Sequence, residues 1–316
     1  MLPCPARGAR RRGWRCVLGS VRRVGVLANL DKPHAVSLTA QLLHWLAQRG
    51  VEAAVPPEVG AALGGGARVA PFGELAEGAA FLLVLGGDGT LLSAARRRLG
   101  IPLLGVNLGH LGFLTELEAP DLFPALPALL AGQYELDERL MLECVVHGPG
   151  GAAERYHALN DVVLTQGPFA RLLRLTVTAE ERLVLTYPGD GIIVSTPTGS
   201  TAYSLSAGGP VMHPHVQGLL VTPICPHSFY SRPVVLGTAE RLAVRPEVAP
   251  GPRHLVDLAL TVDAQEGRPL VPGEWLEVGV AAATTTLVRR PGWSFHDVLR
   301  RKLADDGRVA EGREDA

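Results

Sequence analysis

The sequence predicts an α/β, parallel-sheet part joined to a second, β-rich and β-sandwich-like part. Three observations carry this. In the first half, apolar runs of strand length alternate with stretches of helical periodicity. After about Asp137 the texture turns to short, β-branched, alternating runs with few helix signals. Between the longest apolar run and a helical pattern stands Gly86-Gly87-Asp88-Gly89-Thr90, where a parallel strand would hand over to a helix. A length of 316 residues, 47% hydrophobic and 19% charged, provides a core for one or two domains.

The elements follow in order. Val24 to Ala28 reads as a strand, followed by the polar turn Asn29 to His34. From Ala35 to Gln48, apolar residues at Val36, Leu38, Leu42, Leu43, Leu46 and Ala47 give an amphipathic helix, with Gly50 as its stop. Val51 to Val55 reads as a second strand, Gly60 to Gly66 as a loose Gly-rich segment, and Phe81 to Leu85 as a buried strand. A helix over Leu91 to Leu99 and a strand over Pro102 to Val106 complete the alternation. In the β-rich part, Met141 to His147, Asp161 to Thr165, Leu172 to Thr178, Leu183 to Tyr187 and Ile192 to Ser195 read as strands. Leu276 to Val280 and Thr284 to Val288 look like its last ones, and Phe295 to Leu303 has helical spacing.

Composition removes several classes of chemistry. Lys32 and Lys302 are the only lysines beside 28 arginines. Neither lies in a P-loop or in the lysine motif of protein kinases, and neither suits a Schiff-base enzyme. The arginine bias itself reads as base composition of the genome. Residues 1–23 carry seven arginines and no acid, so the formal charge of −1 becomes −8 without them. That arm reads as a disordered extension rather than a nucleic-acid-binding segment. It lacks the apolar region of a signal peptide, and no apolar stretch approaches the length of a membrane span. Four cysteines without metal-like spacing predict reduced thiols in a cytoplasm. The histidines, including His213-Pro-His215 and His227, do not form a zinc pattern.

Two segments carry chemistry. In Gly86-Gly87-Asp88-Gly89-Thr90, glycines let backbone amides approach phosphate oxygens. A carboxylate beside phosphates must orient or deprotonate an attacking hydroxyl or hold a metal; alternatively Asp88 is a turn or N-cap residue. The second segment runs from Asp190 to Pro210, DGIIVSTPTGSTAYSLSAGGP. It packs seven hydroxyl residues, four glycines and Tyr203 behind an apolar strand. Its composition suits a cradle for phosphate or sugar oxygens, with Tyr203 offering a flat face to a base. The lack of a G-x-S-x-G elbow argues against a serine hydrolase.

These segments, with Asn160-Asp161 and Leu220 to Ser228 (LVTPICPHS), closely resemble in this order the motifs of the bacterial NAD kinases, from about Val24 to Leu303. The resemblance implies phosphoryl transfer from ATP or polyphosphate to the 2′-hydroxyl of the adenosine ribose of NAD, giving NADP. It implies Asp88 as the catalytic carboxylate and Gly89 as a dinucleotide contact, with Gly86, Gly87, Gly89 and Thr90 as the phosphate loop. Asn160 and Asp161 would hold ribose hydroxyls and the base edge, although an Asx turn is the plain alternative. Asp190 would bind the nicotinamide end, while Thr201, Ala202, Tyr203, Ser204, Leu205 and Ser206 would wrap the adenine and its ribose. Phe113 would pack on the adenosine or simply in the core. Gln265 matches a binding glutamine, and Arg171 falls at a basic position near the dinucleotide or is a surface arginine. Mg²⁺ is expected with the nucleotide, since few lysines are available to neutralise a triphosphate. No protein-only metal site, nucleic-acid partner or membrane partner is expected.

Two positions depart from the family. Pro188 replaces an arginine found in some members, and the usual D-G-Q reads Asp263-Ala264-Gln265, where alanine tolerates a positive φ poorly. The expected organisation is a basic extension over 1–22, an α/β domain over 23–138 completed by about 281–303, a β-rich NAD-binding domain over 139–280, and an acidic tail over 304–316. The active site is expected in the cleft between the domains. Family members commonly form homodimers or homotetramers. A lipid or sphingoid kinase sharing GGDGT, with an apolar acceptor pocket, and a non-catalytic NAD(P)-binding sensor are the alternatives.

Overall fold

The structure, a computed structural model, describes residues 14–16 (backbone), 20–109, 112–151, 153–167, 173–228, 230–248 and 258–302. Most of the basic extension, the acidic tail and Arg171 lie outside the described residues. Contacts divide the chain into two compact units. The first runs to Leu91 and resumes over Leu99–Asp137 and from Thr286; the second comprises Leu92–Arg98 and Glu138–Thr285.

The first unit is built on a mixed sheet of mainly parallel strands. Its order is Trp14–Cys16, Glu135–Arg139, Thr285–Arg289, Leu103–Asn107, Leu82–Gly86, Arg23–Ala28, Glu52–Val55 and Arg68–Val69, with Leu117–Glu118 added beside Leu103–Asn107. The two central strands, Leu82–Gly86 and Leu103–Asn107, are buried at every position, as strands covered on both faces must be, and hence read as unbroken apolar runs. The helix Ala35–Ala47 turns Leu42 and Leu46 into this core. Phe81 meets Tyr134 edge-on, with centroids 5.7 Å apart.

Three expectations are corrected here. The Gly60–Gly66 segment is not all loop, because Pro57–Ala62 is a short helix with proline in its first turn. Gly60 is buried in that helix, where a Cβ would overlap the Val69 side chain, so its glycine serves close packing rather than a turn. The next helix is Asp88–Arg96 rather than Leu91 to Leu99; it begins where the Gly87 carbonyl accepts the Leu91 N–H at 3.1 Å. Finally, Thr285–Arg289 does not belong to the β-rich sheets but runs parallel beside Leu103–Asn107. A β-branched run announces a strand without saying which sheet receives it. Helix follows over 295–302.

The second unit is a β-sandwich of two six-stranded antiparallel sheets. One has the order Ala153–Ala158, Leu142–His147, Trp275–Val280, Leu242–Val248, Leu173–Ala179, Arg182–Gly189. The other runs Val234–Leu236, Leu219–Ile224, Gly191–Ser195, Asp161–Gln166, Leu258–Val262, Glu266–Leu270. Alternation sorts the side chains: Leu173, Leu175 and Val177 join Ile192, Val194, Val162 and Leu164 in a shared core, while Arg174, Thr176 and Thr178 point away from it. On the other face of the second sheet, Val163, Ile193 and Ile224 form a smaller cluster under Ala207.

Candidate active site

In the first unit, the buried strand Leu82–Gly86 delivers the chain directly into the helix that Asp88 opens. The Asp88 carboxylate is not a local cap. Its Oδ2 accepts the Phe113 N–H at 2.7 Å, and its Oδ1 accepts those of Leu114 and Thr115 at 3.1 and 3.2 Å. An ionised carboxylate offers about four lone-pair directions, two per oxygen. Both on Oδ1 are therefore taken and one on Oδ2 is left. Gly112 lies so close that any Cβ there would overlap the carboxylate. From its other side the 113–115 segment is held by Arg289, fully buried, whose guanidinium donates to the Leu114 carbonyl at 3.0 Å and to Asp137 at 3.2 Å.

The glycine-rich turn is internally ordered. Gly86 ends the strand and its carbonyl accepts the Leu108 N–H at 2.7 Å. A Cβ on Gly86 would collide with Thr90, whose hydroxyl sits 3.5 Å from the Gly87 amide. Gly89 is exposed on the first turn of the helix. The two lysines stand near Gly109 and Phe113: Lys32 Nζ is 4.0 Å from where a Gly109 Cβ would be, and Lys302 Nζ is 5.9 Å from the half-buried Phe113 ring centroid.

In the second unit, Asn160 and Asp161 lead into the strand Asp161–Gln166 and are fixed by another carboxylate. Asp263 Oδ1 accepts the N–H groups of Asn160 and Asp161 at 2.8 and 3.2 Å, and its Oδ2 accepts that of Leu159 at 3.1 Å and Arg96 at 3.4 Å. Burial pushes Asp263 above the ordinary carboxylate range, opposed by those three amides and by Arg96. Asp161 is itself buried and is pushed up to about 7, first by burial and then by the Asp263 charge. Directly across the ladder from Asp161 is Ser195, whose buried hydroxyl has no partner.

The hydroxyl-rich segment folds onto the same turn. Thr196 donates its N–H to the Asn160 carbonyl at 2.9 Å and its hydroxyl to the Leu159 carbonyl at 2.6 Å. Gly199 packs on Asn160, where a Cβ would overlap the backbone. Arg139, buried, reaches the Thr198 hydroxyl at 3.2 Å. Beyond it, Thr201 and Ala202 are half-buried, and Tyr203, Leu205 and Ser206 are exposed. Ser204 turns inward, where its hydroxyl shares a 2.8 Å bond with Thr222. Asp190 stands between two strands and accepts Gln166 Nε2 at 2.7 Å. Gln265 Oε1 accepts from the Arg96 guanidinium at 3.0 Å. The turn that lacks the family glycine keeps its left-handed form, with φ of 51° at Asp263 and 53° at Ala264.

Asp263, Arg96, Arg139, Gly112 and Arg289 escaped the sequence reading. Only Asp263 had a signal there, as the first residue of the altered D-G-Q.

Family models described as the ATP-NAD kinase N-terminal domain and the ATP-NAD kinase C-terminal domain match residues 24–134 and 159–290. An NAD kinase of Symbiobacterium thermophilum is 45% identical over 284 residues, covering 89% of this chain and 99% of that protein. One of Moorella thermoacetica is 45% identical over 291 residues, covering 91% of each. The fold is also that of a yeast NADH kinase solved with NADH, at TM-score 0.80 and 23% identity over 90% of this chain and 88% of that one. It is shared with an NAD kinase from Archaeoglobus fulgidus solved in complex with ATP, at TM-score 0.67 and 22% identity over 85% and 94%. The chain belongs to the NAD kinase family.

Proposed function

We propose that the protein phosphorylates NAD, moving the γ-phosphoryl group of ATP to the 2′-hydroxyl of the adenosine ribose and forming NADP and ADP. The observation that carries this reading is the Asp88 carboxylate, held rigid by three amides with one acceptor direction left. The acceptor hydroxyl donates to Asp88 Oδ2 while its oxygen attacks the γ-phosphorus. As the new O–P bond forms, the bond to the nucleoside diphosphate breaks and the hydroxyl proton passes to Asp88. The N-terminal amides of the Asp88–Arg96 helix favour the phosphate charge, with Gly87, Gly89 and Thr90 beside them and Gly86 setting the turn.

Asn160 and Asp161 hold the ribose hydroxyls and base edge, Asp190 the nicotinamide end, and the 201–206 segment the adenine, with Ser204 contributing backbone because its hydroxyl faces Thr222. Phe113 and Gln265 are further contacts, as is Arg171 by resemblance. Among the described residues no three His, Cys, Asp or Glu side chains gather as a metal cage. Mg²⁺ would enter with the nucleotide, where it neutralises phosphate charge. Within this reading the protein acts in the cytoplasm as a homodimer or homotetramer; among the described residues no helix is long and apolar enough to cross a membrane.

The lipid-kinase and sensor readings are not favoured, since full-length relatives at this identity are NAD kinases. The test is to incubate the protein with NAD, Mg²⁺ and either ATP or polyphosphate, and to read NADP with an NADP-specific dehydrogenase. NADP formed by the wild type and lost in Asp88→Ala is the expected result. No NADP with either donor overturns the reading, and the donor that supports turnover identifies itself.

A further inference from the structure

Thr196 holds the carbonyls of the turn that carries Asn160 and Asp161, and the N–H groups of that turn need a separate partner. The turn is a bend between two strands, Ala153–Ala158 and Asp161–Gln166, that belong to different sheets of the sandwich. The three consecutive N–H groups of Leu159, Asn160 and Asp161 need an acceptor. That acceptor is Asp263, a residue 102 to 104 positions away in sequence, with a fully buried side chain. Asp263 reaches them from a strained position, since it and Ala264 both adopt left-handed φ between the strands Leu258–Val262 and Glu266–Leu270. Backbone held in that region persists where surrounding structure over-determines it.

This second turn is braced by its own backbone, with the Asp263 N–H on the Asp161 carbonyl and the Gln265 N–H on the Val262 carbonyl, both at 3.0 Å, and by Arg96. Its guanidinium spreads over the turn, with NH1 3.4 Å from Asp263 Oδ2, NH2 3.0 Å from Gln265 Oε1 and Nε 3.6 Å from Glu266 Oε2. Arg96 is the last residue of the helix whose first residue is Asp88. The planar fork serves three acceptors at once, which a lysine ammonium on a flexible stem does not reproduce. With Arg96 in place, all four acceptor directions of Asp263 are occupied. Asp263 has none to give a substrate.

We propose that Asp263, locked by Arg96, is the positioning residue for Asn160 and Asp161 in NAD recognition, and that Gln265 is held in place by the same arginine. This rests on the kinase reading above. Neither residue touches the reacting atoms; both act through the geometry of the 159–161 turn. Losing them loosens the ribose-binding groups, so the defect falls on NAD and spares ATP.

The experiment is steady-state kinetics of wild type, Arg96→Ala, Arg96→Lys and Asp263→Asn, varying NAD at saturating ATP and ATP at saturating NAD, with thermal melts of each protein. Arg96→Ala is the primary variant because its loss leaves Asp263 paired with the three amides. The expected result is a KM for NAD raised about tenfold in Arg96→Ala and more in Asp263→Asn, with the KM for ATP within about twofold of wild type. Arg96→Lys recovers part of the loss. An unchanged KM for NAD in a folded Arg96→Ala protein overturns the proposal, as does an equal rise in both KM values. Absence of NADP formation by the wild type would instead strike the kinase reading itself.

Discussion

Asp88 and Asp263 use one device in two places. Each carboxylate gathers three consecutive backbone N–H groups from a distant segment, 113–115 for the first and 159–161 for the second. They differ in the fourth acceptor direction. Asp263 spends it on Arg96, whereas Asp88, half-buried at the first residue of a helix, keeps it. Saturation makes a carboxylate a structural pin; one vacancy makes the same arrangement a preorganised acceptor for a proton. On the proposed reading, the difference between positioning and catalysis is one lone pair and the access to it.

The largest expected effect comes from removing the vacancy. Asp88→Asn keeps the size but places an NH₂ among N–H donors and has no basic oxygen to spare. Its kcat should fall about 10³-fold in the coupled NADP assay, within the usual range for a lost general base. Next is Gly112→Ala, which leaves Asp88 chemically intact but drives a methyl group into its carboxylate. A displacement of that kind should lower kcat about 10²-fold while the melting temperature moves little. If Gly112→Ala retained full activity, the orientation of Asp88 would not matter and the comparison would collapse.

Asp161 sharpens the comparison through pH. Its carboxyl is held near 7 by burial and by the Asp263 charge, whereas an unfolded aspartate titrates near 4. The folded state therefore keeps a proton that the unfolded state has lost, and stability falls as pH rises from about 4 through 7. Asp161→Asn should melt at nearly the wild-type temperature at pH 4 and be the more stable protein at pH 8, by on the order of 4 kcal/mol. Equal melts of the two proteins at both pH values would show that Asp161 ionises without cost. The smallest effect is at the turn itself. Ala264→Gly relieves a left-handed alanine and should add about 1 kcal/mol to the unfolding free energy in urea, with kinetics unchanged.

Much of this molecule is legible in its sequence, and the unread part has a physical pattern. Leu82–Gly86 and Leu103–Asn107 read as strands because burial on both faces demands an unbroken apolar run. Leu173–Ala179 reads as a sandwich strand because its inward and outward residues alternate. Local patterns fail where the decisive partner is remote. Gly60 resembles a loop glycine until Val69 packs against it, and Thr285–Arg289 carries no mark of the sheet it joins. Asp88 and the hydroxyl-rich segment stood out because their chemistry is concentrated within a few residues. Asp263 and Arg96 did not, since a buried pin is defined by amides a hundred residues away, and arginine is too common in this chain for one more to draw notice.

The most direct test is to compare Asp88→Asn and Asp263→Asn side by side in the NADP assay, measuring kcat and the KM for NAD on folded proteins. A catalytic acceptor and a positioning pin predict opposite patterns. Asp88→Asn should lose kcat about 10³-fold, while Asp263→Asn should keep kcat within about tenfold and raise the KM for NAD. An Asp88→Asn enzyme turning over at the wild-type rate, or an Asp263→Asn enzyme whose kcat collapses as far as that expected for Asp88→Asn, would contradict the division of roles between the two aspartates.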